Sequence, residues 1–191
     1  MNTLTRLLIA TGLMVTAAAA SAHAGHDAGS GFTSGLLHPM LGLDHLLAMA
    51  AIGFWSVRQS ATLKNSTPLF LIGGMILGAG IGFSGMPIPG VETGIALTVM
   101  LAGVLIATLA RLPTAVGGSL VAAFMMFHGY AHAAEMPLGA HFAAYTAGFA
   151  ATTVAIAFVG RGLGALLLTS DSLISRAIGA GLVGGGLMFA A

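Results

Sequence analysis

Six ionisable side chains fall in two short stretches of an otherwise greasy chain. The first stretch, "HPMLGLDH", carries His38, Asp44 and His45; the second, "FHGYAHAAE", carries His128, His132 and Glu135. Imidazole nitrogens and carboxylate oxygens are the donors that bind divalent transition metals such as nickel, cobalt, copper and zinc. In the second stretch His128 and His132 stand at i and i+4, with Glu135 three residues further on, so one helix face presents all three. In the first, His38 and His45 are seven residues apart and share a face, while Asp44 sits about a third of a turn away, at about 100° per residue. Pro39 removes a backbone hydrogen bond and presses on the carbonyl of Gly35, so the helix is expected to be distorted where the donors are.

The setting of these residues raises their significance. The chain has 191 residues, 57% of them hydrophobic and 6% charged, with a mean hydropathy of +1.00, whereas a soluble domain carries roughly 25% charged residues. That composition predicts an all-α, polytopic membrane bundle in contact with the lipid bilayer. A net charge of +1 without a basic patch excludes a nucleic-acid partner, and the absence of cysteine excludes disulfides and thiolate metal sites. An aspartate at mid-membrane costs about 2.5–3.5 kcal/mol on insertion scales. Such groups face the bundle interior, a cavity or a partner. A divalent cation would compensate the two clusters, because Asp44 and Glu135 supply two negative charges and neutral imidazoles supply lone pairs. The bland alternative for each histidine alone is an interior residue or a hydrogen bond between helices.

The elements that position these residues follow from hydropathy. Arg6, the apolar run "LLIATGLMVTAAAA" and the small residues "SAHA" have the three-part pattern of a secretory signal peptide over 1–24, cleaved after Ala22 or Ala24; an uncleaved first helix is the alternative. The mature part, 25–191, is expected to be one domain of six spans, near 32–57, 68–85, 91–110, 114–132, 138–160 and 173–191. The breaks are placed at "KNSTP", "GMPIPG", "RLP" and "EMP". "RGLGALLLTSDSLIS" is expected either as an interfacial helix or as an extension of a neighbouring span, with Ser170 or Ser172 capping the last helix. Arg58, Lys64, Arg111, Arg161 and Arg176 all fall on one side and Glu92 and Glu135 on the other. The positive-inside rule then puts both mature termini in the periplasm of a bacterial inner membrane.

On that topology His38 lies about two turns below the outer surface, and Asp44 and His45 about one and a half turns deeper. Gly74, Gly78 and Gly82, and likewise Gly181 and Gly185, form stripes suited to close helix packing. His141, near the outer end of the fifth span, is an auxiliary metal candidate or an interfacial residue. Glu92 is a second auxiliary candidate, although a carboxylate in a first helical turn is already favoured by the helix dipole. His23 and His26, beside Asp27 on the leading tail, are weak capture candidates, and Met40, Met49, Met125 and Met126 are core filler rather than soft ligands.

These motifs resemble those of the HupE/UreJ family of bacterial membrane proteins, whose hallmarks are H-x5-D-H in the first mature span and F-H-G-x-[AV]-H-G-x-E in the fourth. The second motif departs once, Ala133 standing for the usual glycine, which changes no donor. The resemblance implies uptake of nickel, or in some members cobalt, for hydrogenase, urease or cobalamin metabolism. It implies His38, Asp44, His45, His128, His132 and Glu135 as functional residues, with Phe127 and Gly129 in support; Pro39 supports the site through the distortion it imposes. The metal would be cargo, nickel first and cobalt second, and no cofactor would be permanently bound. No nucleotide-binding motif is present, which favours a secondary permease. Two alternatives remain open: an intramembrane metal-dependent hydrolase with Glu135 as general base, and a metal-binding accessory protein that does not transport. The oligomeric state is not legible.

Overall fold

The computed structural model describes residues 31–167 and 172–190, and every regular element among them is helical. In chain order these are α1 (Gly31–Leu37), a 3-10 turn (His38–Met40), α2 (Leu43–Ser56), α3 (Ala61–Phe83), α4 (Val91–Ala107), α5 (Thr114–Ala134), α6 (Phe142–Leu167) and α7 (Ser172–Phe189). By length and apolarity α3, α5 and α6 can each cross a membrane, and α1 with α2 supplies a fourth crossing if the bent pair is one span. The apolar α4 and α7 are shorter. The signal segment, with His23, His26 and Asp27, and the capping residues Ser170 and Asp171 lie outside the described residues, as does the side chain of Ser172.

Where helices cannot rely on water to drive them together, close backbone approach and hydrogen bonds must do so. On the α3–α5 seam, a Cβ added at Gly74 or Gly78 would collide with the carbonyl of Ala122 or Met126, and one at Gly82 would lie 2.9 Å from the Tyr130 carbonyl. This is the expected stripe. The stripe expected in α7 falls elsewhere: Gly181 faces open space and Gly185 only grazes Leu47, whereas Gly179 and Gly186 press on the backbone of α4 at Ala107 and Met100. Seven residues, two helical turns, separate the true contacts, so the seam follows the α4 surface. The buried core between the seams is formed by Met49, Ile52, Trp55, Leu71, Met75, Val99, Met125 and Phe149, among others. Met49 and Met125 are the core filler expected of them, but Met40, in the 3-10 turn, is 44% exposed.

The second span begins earlier than its proline suggests. Ser60 accepts from the Leu63 backbone N–H at 3.2 Å and caps α3, so "KNSTP" is helical and Pro68 is interior. Proline at 68 leaves the Lys64 carbonyl without its helical donor. The Arg161 guanidinium donates to that carbonyl at 3.3 Å and to Asn65 Oδ1 at 3.3 Å. Residues 161–167 are accordingly the end of α6, not an interfacial helix. At the same end Gln59 donates to the Ala110 carbonyl (2.9 Å) and accepts from the Leu112 N–H (3.0 Å), tying the turn after α2 to the turn after α4.

The first span departs most from a straight helix. It bends by 79° between Met40 and Leu43, so His38 and His45 are not strung along one face at successive depths. Each instead meets the ring of His132, at centroid distances of 4.7 Å and 4.1 Å.

Candidate metal centre

Pro39 opens the 3-10 turn, in which the Leu41 N–H donates to the His38 carbonyl at 3.0 Å. The Leu36 carbonyl, at the end of α1, accepts from the Thr152 hydroxyl at 2.7 Å, so backbone polarity at the break is answered by α6. Gly42 then admits the turn into α2: a Cβ there would lie 2.8 Å from Asp44 Oδ1 and 2.9 Å from His45 Nδ1. The break thus seats the Asp44–His45 pair.

From the other side α5 delivers His128 and His132, both essentially buried at 0% and 1% exposure. Two glycines set its position. Gly129 lies against the Met75 carbonyl of α3, where a Cβ would collide, and the Phe127 ring fills the space over Gly94 of α4. The His132 ring is the hub of the cluster. Its centroid is 4.7 Å from His38, 4.1 Å from His45 and 4.2 Å from Phe149, and His45 is 4.6 Å from His128.

The cluster has an outer and an inner part. In the outer part, His38 Nε2 pairs with Glu135 Oε2 at 2.8 Å and His132 Nδ1 lies 4.0 Å from the same oxygen. Donor atoms of His38, His132 and Glu135 all fall within 4.8 Å of one another. A metal about 2.1 Å from each donor would hold them about 3–3.4 Å apart. Only a small closure separates this arrangement from a ligand set. Glu135, just beyond the end of α5, has a side chain 56% exposed against 2% for His132, so the site grades from open to dry. The hydrogen bond from His38 holds the Glu135 carboxyl below the usual glutamate range, keeping it an anion at the mouth.

In the inner part, His45 Nε2, His128 Nδ1 and both ring nitrogens of His132 are buried without a hydrogen-bond partner from the protein. Buried polar atoms left unmatched cost about 1–3 kcal/mol each. Asp44 stands behind His45: its Oδ1 accepts from the His45 backbone N–H and pairs with His45 Nδ1, each at 2.8 Å. The carboxylate therefore holds the ring with Nε2 turned away from it. Of the six residues, the donors of His38, His132 and Glu135 converge, and Asp44, His45 and His128 stand outside that group.

Of the auxiliary candidates, Glu92 is exposed in the first turn of α4. His141 is exposed just before α6, where its carbonyl accepts from the Tyr145 N–H at 2.9 Å. Neither joins the convergent group. Three residues of the site escaped sequence reasoning. Phe149 packs on His132, Tyr145 lies 5.9 Å from the His38 ring with its hydroxyl buried and unmatched, and Thr98 hydrogen-bonds His128 at 2.8 Å. The available signal was a polar atom inside an apolar span, since such an atom needs a partner.

The family model described as HupE / UreJ protein matches residues 11–189. Protein HupE of Rhizobium leguminosarum bv. viciae is 37% identical over 164 residues, which cover 86% of this chain and 85% of that protein. No solved structure matches.

Proposed function

Because the chain belongs to the HupE/UreJ family, we propose that it is an inner-membrane secondary permease that takes up nickel, or secondarily cobalt, from the periplasm for metalloenzyme maturation. The observation that carries this reading is the convergence of His38, His132 and Glu135, open at the Glu135 end, beside the packed rings of His45 and His128, whose Nε2 and Nδ1 are buried without protein partners. In the proposed topology a leader ends at Ala22 or Ala24 and six spans follow, with the mature termini and Glu135 in the periplasm. Arg161, Lys64 and the Gln59-tied turns then lie on the cytoplasmic side, consistent with the cation bias.

An arriving hydrated cation meets the Glu135 anion first. It exchanges water for Glu135, His38 Nε2 and His132 Nδ1, displacing the proton that His38 and Glu135 share. His132 then serves as the hand-over ligand, since its ring touches both His38 and His45 and its second nitrogen is also buried and free. The inner ligands are His45 Nε2 and His128 Nδ1, with Asp44 orienting His45 as the carboxylate behind a metal-binding histidine. One and two turns further along α2, Met49 and Ile52 are buried. Release inward therefore requires the helices to part, the behaviour of an alternating-access carrier rather than of an open pore. Loading and unloading exchange metal for protons on imidazole, so a proton gradient is a chemically available drive.

The test is uptake of radioactive nickel by sealed vesicles containing the purified chain, with and without an imposed pH gradient. Accumulation that responds to the gradient and is lost in His132→Ala supports a permease. Metal that binds with fixed stoichiometry but never enters the lumen points to a non-transporting protein and sinks the proposal.

A further inference from the structure

Thr98 sits in the middle of α4, far in sequence from both histidine motifs, and is 2% exposed. Its hydroxyl donates to the Ile95 carbonyl at 2.7 Å, and the same oxygen lies 2.8 Å from His128 Nε2. A hydroxyl has one hydrogen and two lone pairs. With the hydrogen committed to Ile95, the contact with His128 closes when the ring donates, which puts the ring proton on Nε2. A neutral imidazole protonated there carries its lone pair on Nδ1. Nδ1 is the atom of His128 that is buried and unmatched, and the His45 ring stands 4.6 Å away in an edge-on arrangement.

His45 is organised in the same manner: Asp44 engages Nδ1, and Nε2 is left buried and free. We propose that Thr98 is a positioning residue for the cargo, fixing the tautomer of His128 so that Nδ1 faces the cluster as a ready ligand for a divalent transition metal. The two inner imidazoles are thereby backed unequally, His45 by a carboxylate and His128 by a neutral hydroxyl. A carboxylate partner raises ligand basicity more than a hydroxyl does. His128 is then the weaker ligand and the first to let go, which suits a site that must release what it binds. The proposal rests on reading the histidine cluster as a metal site, but its structural core concerns the metal-free protein.

The test uses the full chain labelled with nitrogen-15 histidine, whose ring shifts distinguish protonated from bare nitrogen; the His128 signals are those missing in His128→Gln. Metal-free wild-type protein is expected to show His128 protonated at Nε2. Thr98→Val keeps the size and removes the hydroxyl. It is expected to lose that tautomer preference and to bind nickel about 10–100-fold more weakly, with Thr98→Ser restoring both. His128 protonated at Nδ1 in the wild type overturns the proposal without recourse to any variant, and so does a folded Thr98→Val with unchanged nickel affinity. Wild-type protein that holds the Nε2 proton yet binds no nickel overturns the metal reading, and with it the cargo role of Thr98, while the hydrogen-bond assignment stands.

Discussion

Replacing Asp44 with asparagine separates two roles that sequence alone leaves merged. Asp44 Oδ1 accepts from the His45 backbone N–H and pairs with His45 Nδ1, both at 2.8 Å, so this oxygen is already engaged with its neighbour. If the carboxylate orients His45 rather than binding metal, asparagine preserves the shape and removes the charge that favours a proton on Nδ1. The amide can also turn and donate to Nδ1, which moves the ring proton to Nε2 and blocks the proposed ligand atom. Loss of a partner behind a metal-binding histidine costs about 10–100-fold in affinity, or about 1.4–2.7 kcal/mol. Loss of His132, which touches both parts of the cluster, should abolish measurable binding. Equilibrium nickel titration of purified Asp44→Asn and His132→Ala against wild type measures both. Two results would refute the assignment: Asp44→Asn as dead as His132→Ala, which makes the carboxylate a ligand, or affinity unchanged, which makes the pair irrelevant.

Three further expectations follow from the same geometry. Gly129→Ala drives a methyl into the Met75 carbonyl, which cannot yield without parting α3 from α5; overpacking of this kind costs about 1–3 kcal/mol. Gly80→Ala meets open space and should be neutral or stabilising by up to about 1 kcal/mol, so equal melting shifts in detergent would contradict the seam. Arg161→Ala should destabilise by about 1 kcal/mol when Pro68 is present and by less in a Pro68→Ala background, because the Lys64 carbonyl then regains its helical donor. A double-mutant cycle with no coupling would dismiss that pairing. Sufficient acidification should weaken nickel binding, since imidazole ligates only when neutral. Affinity in an equilibrium nickel titration that stays flat at every acid pH at which the protein remains folded would contradict histidine ligation.

Much of the site was legible because its residues are expensive. Histidines and carboxylates in apolar segments demand partners, and the i, i+4, i+7 spacing of His128, His132 and Glu135 fixes one helix face without any tertiary information. Pro39 announced a distortion but not its size. The 79° bend also needs Gly42, whose missing side chain makes room for Asp44 and His45. The contact between Asp44 and the His45 ring was hidden for the same reason, since spacing along a straight helix does not show the pairing that the bent backbone makes. Pro68 misled because a proline reads as a helix boundary unless another residue can satisfy the carbonyl it strands, here Arg161 nearly a hundred positions away. In α7 the small residues are so dense that spacing cannot choose among them. Contact with α4 selects Gly179 and Gly186. Thr98 belongs to no motif and looked like any span threonine.

The central claim is that this cluster passes a transition metal across a membrane. Its most direct test is cellular metal content by mass spectrometry across nickel, cobalt, zinc, copper and manganese, in transporter-deficient cells expressing the wild type, His45→Ala or His132→Ala at matched protein levels. The account predicts a selective gain of nickel or cobalt that disappears in both variants. No gain of any metal, or a gain that survives both substitutions, would contradict it.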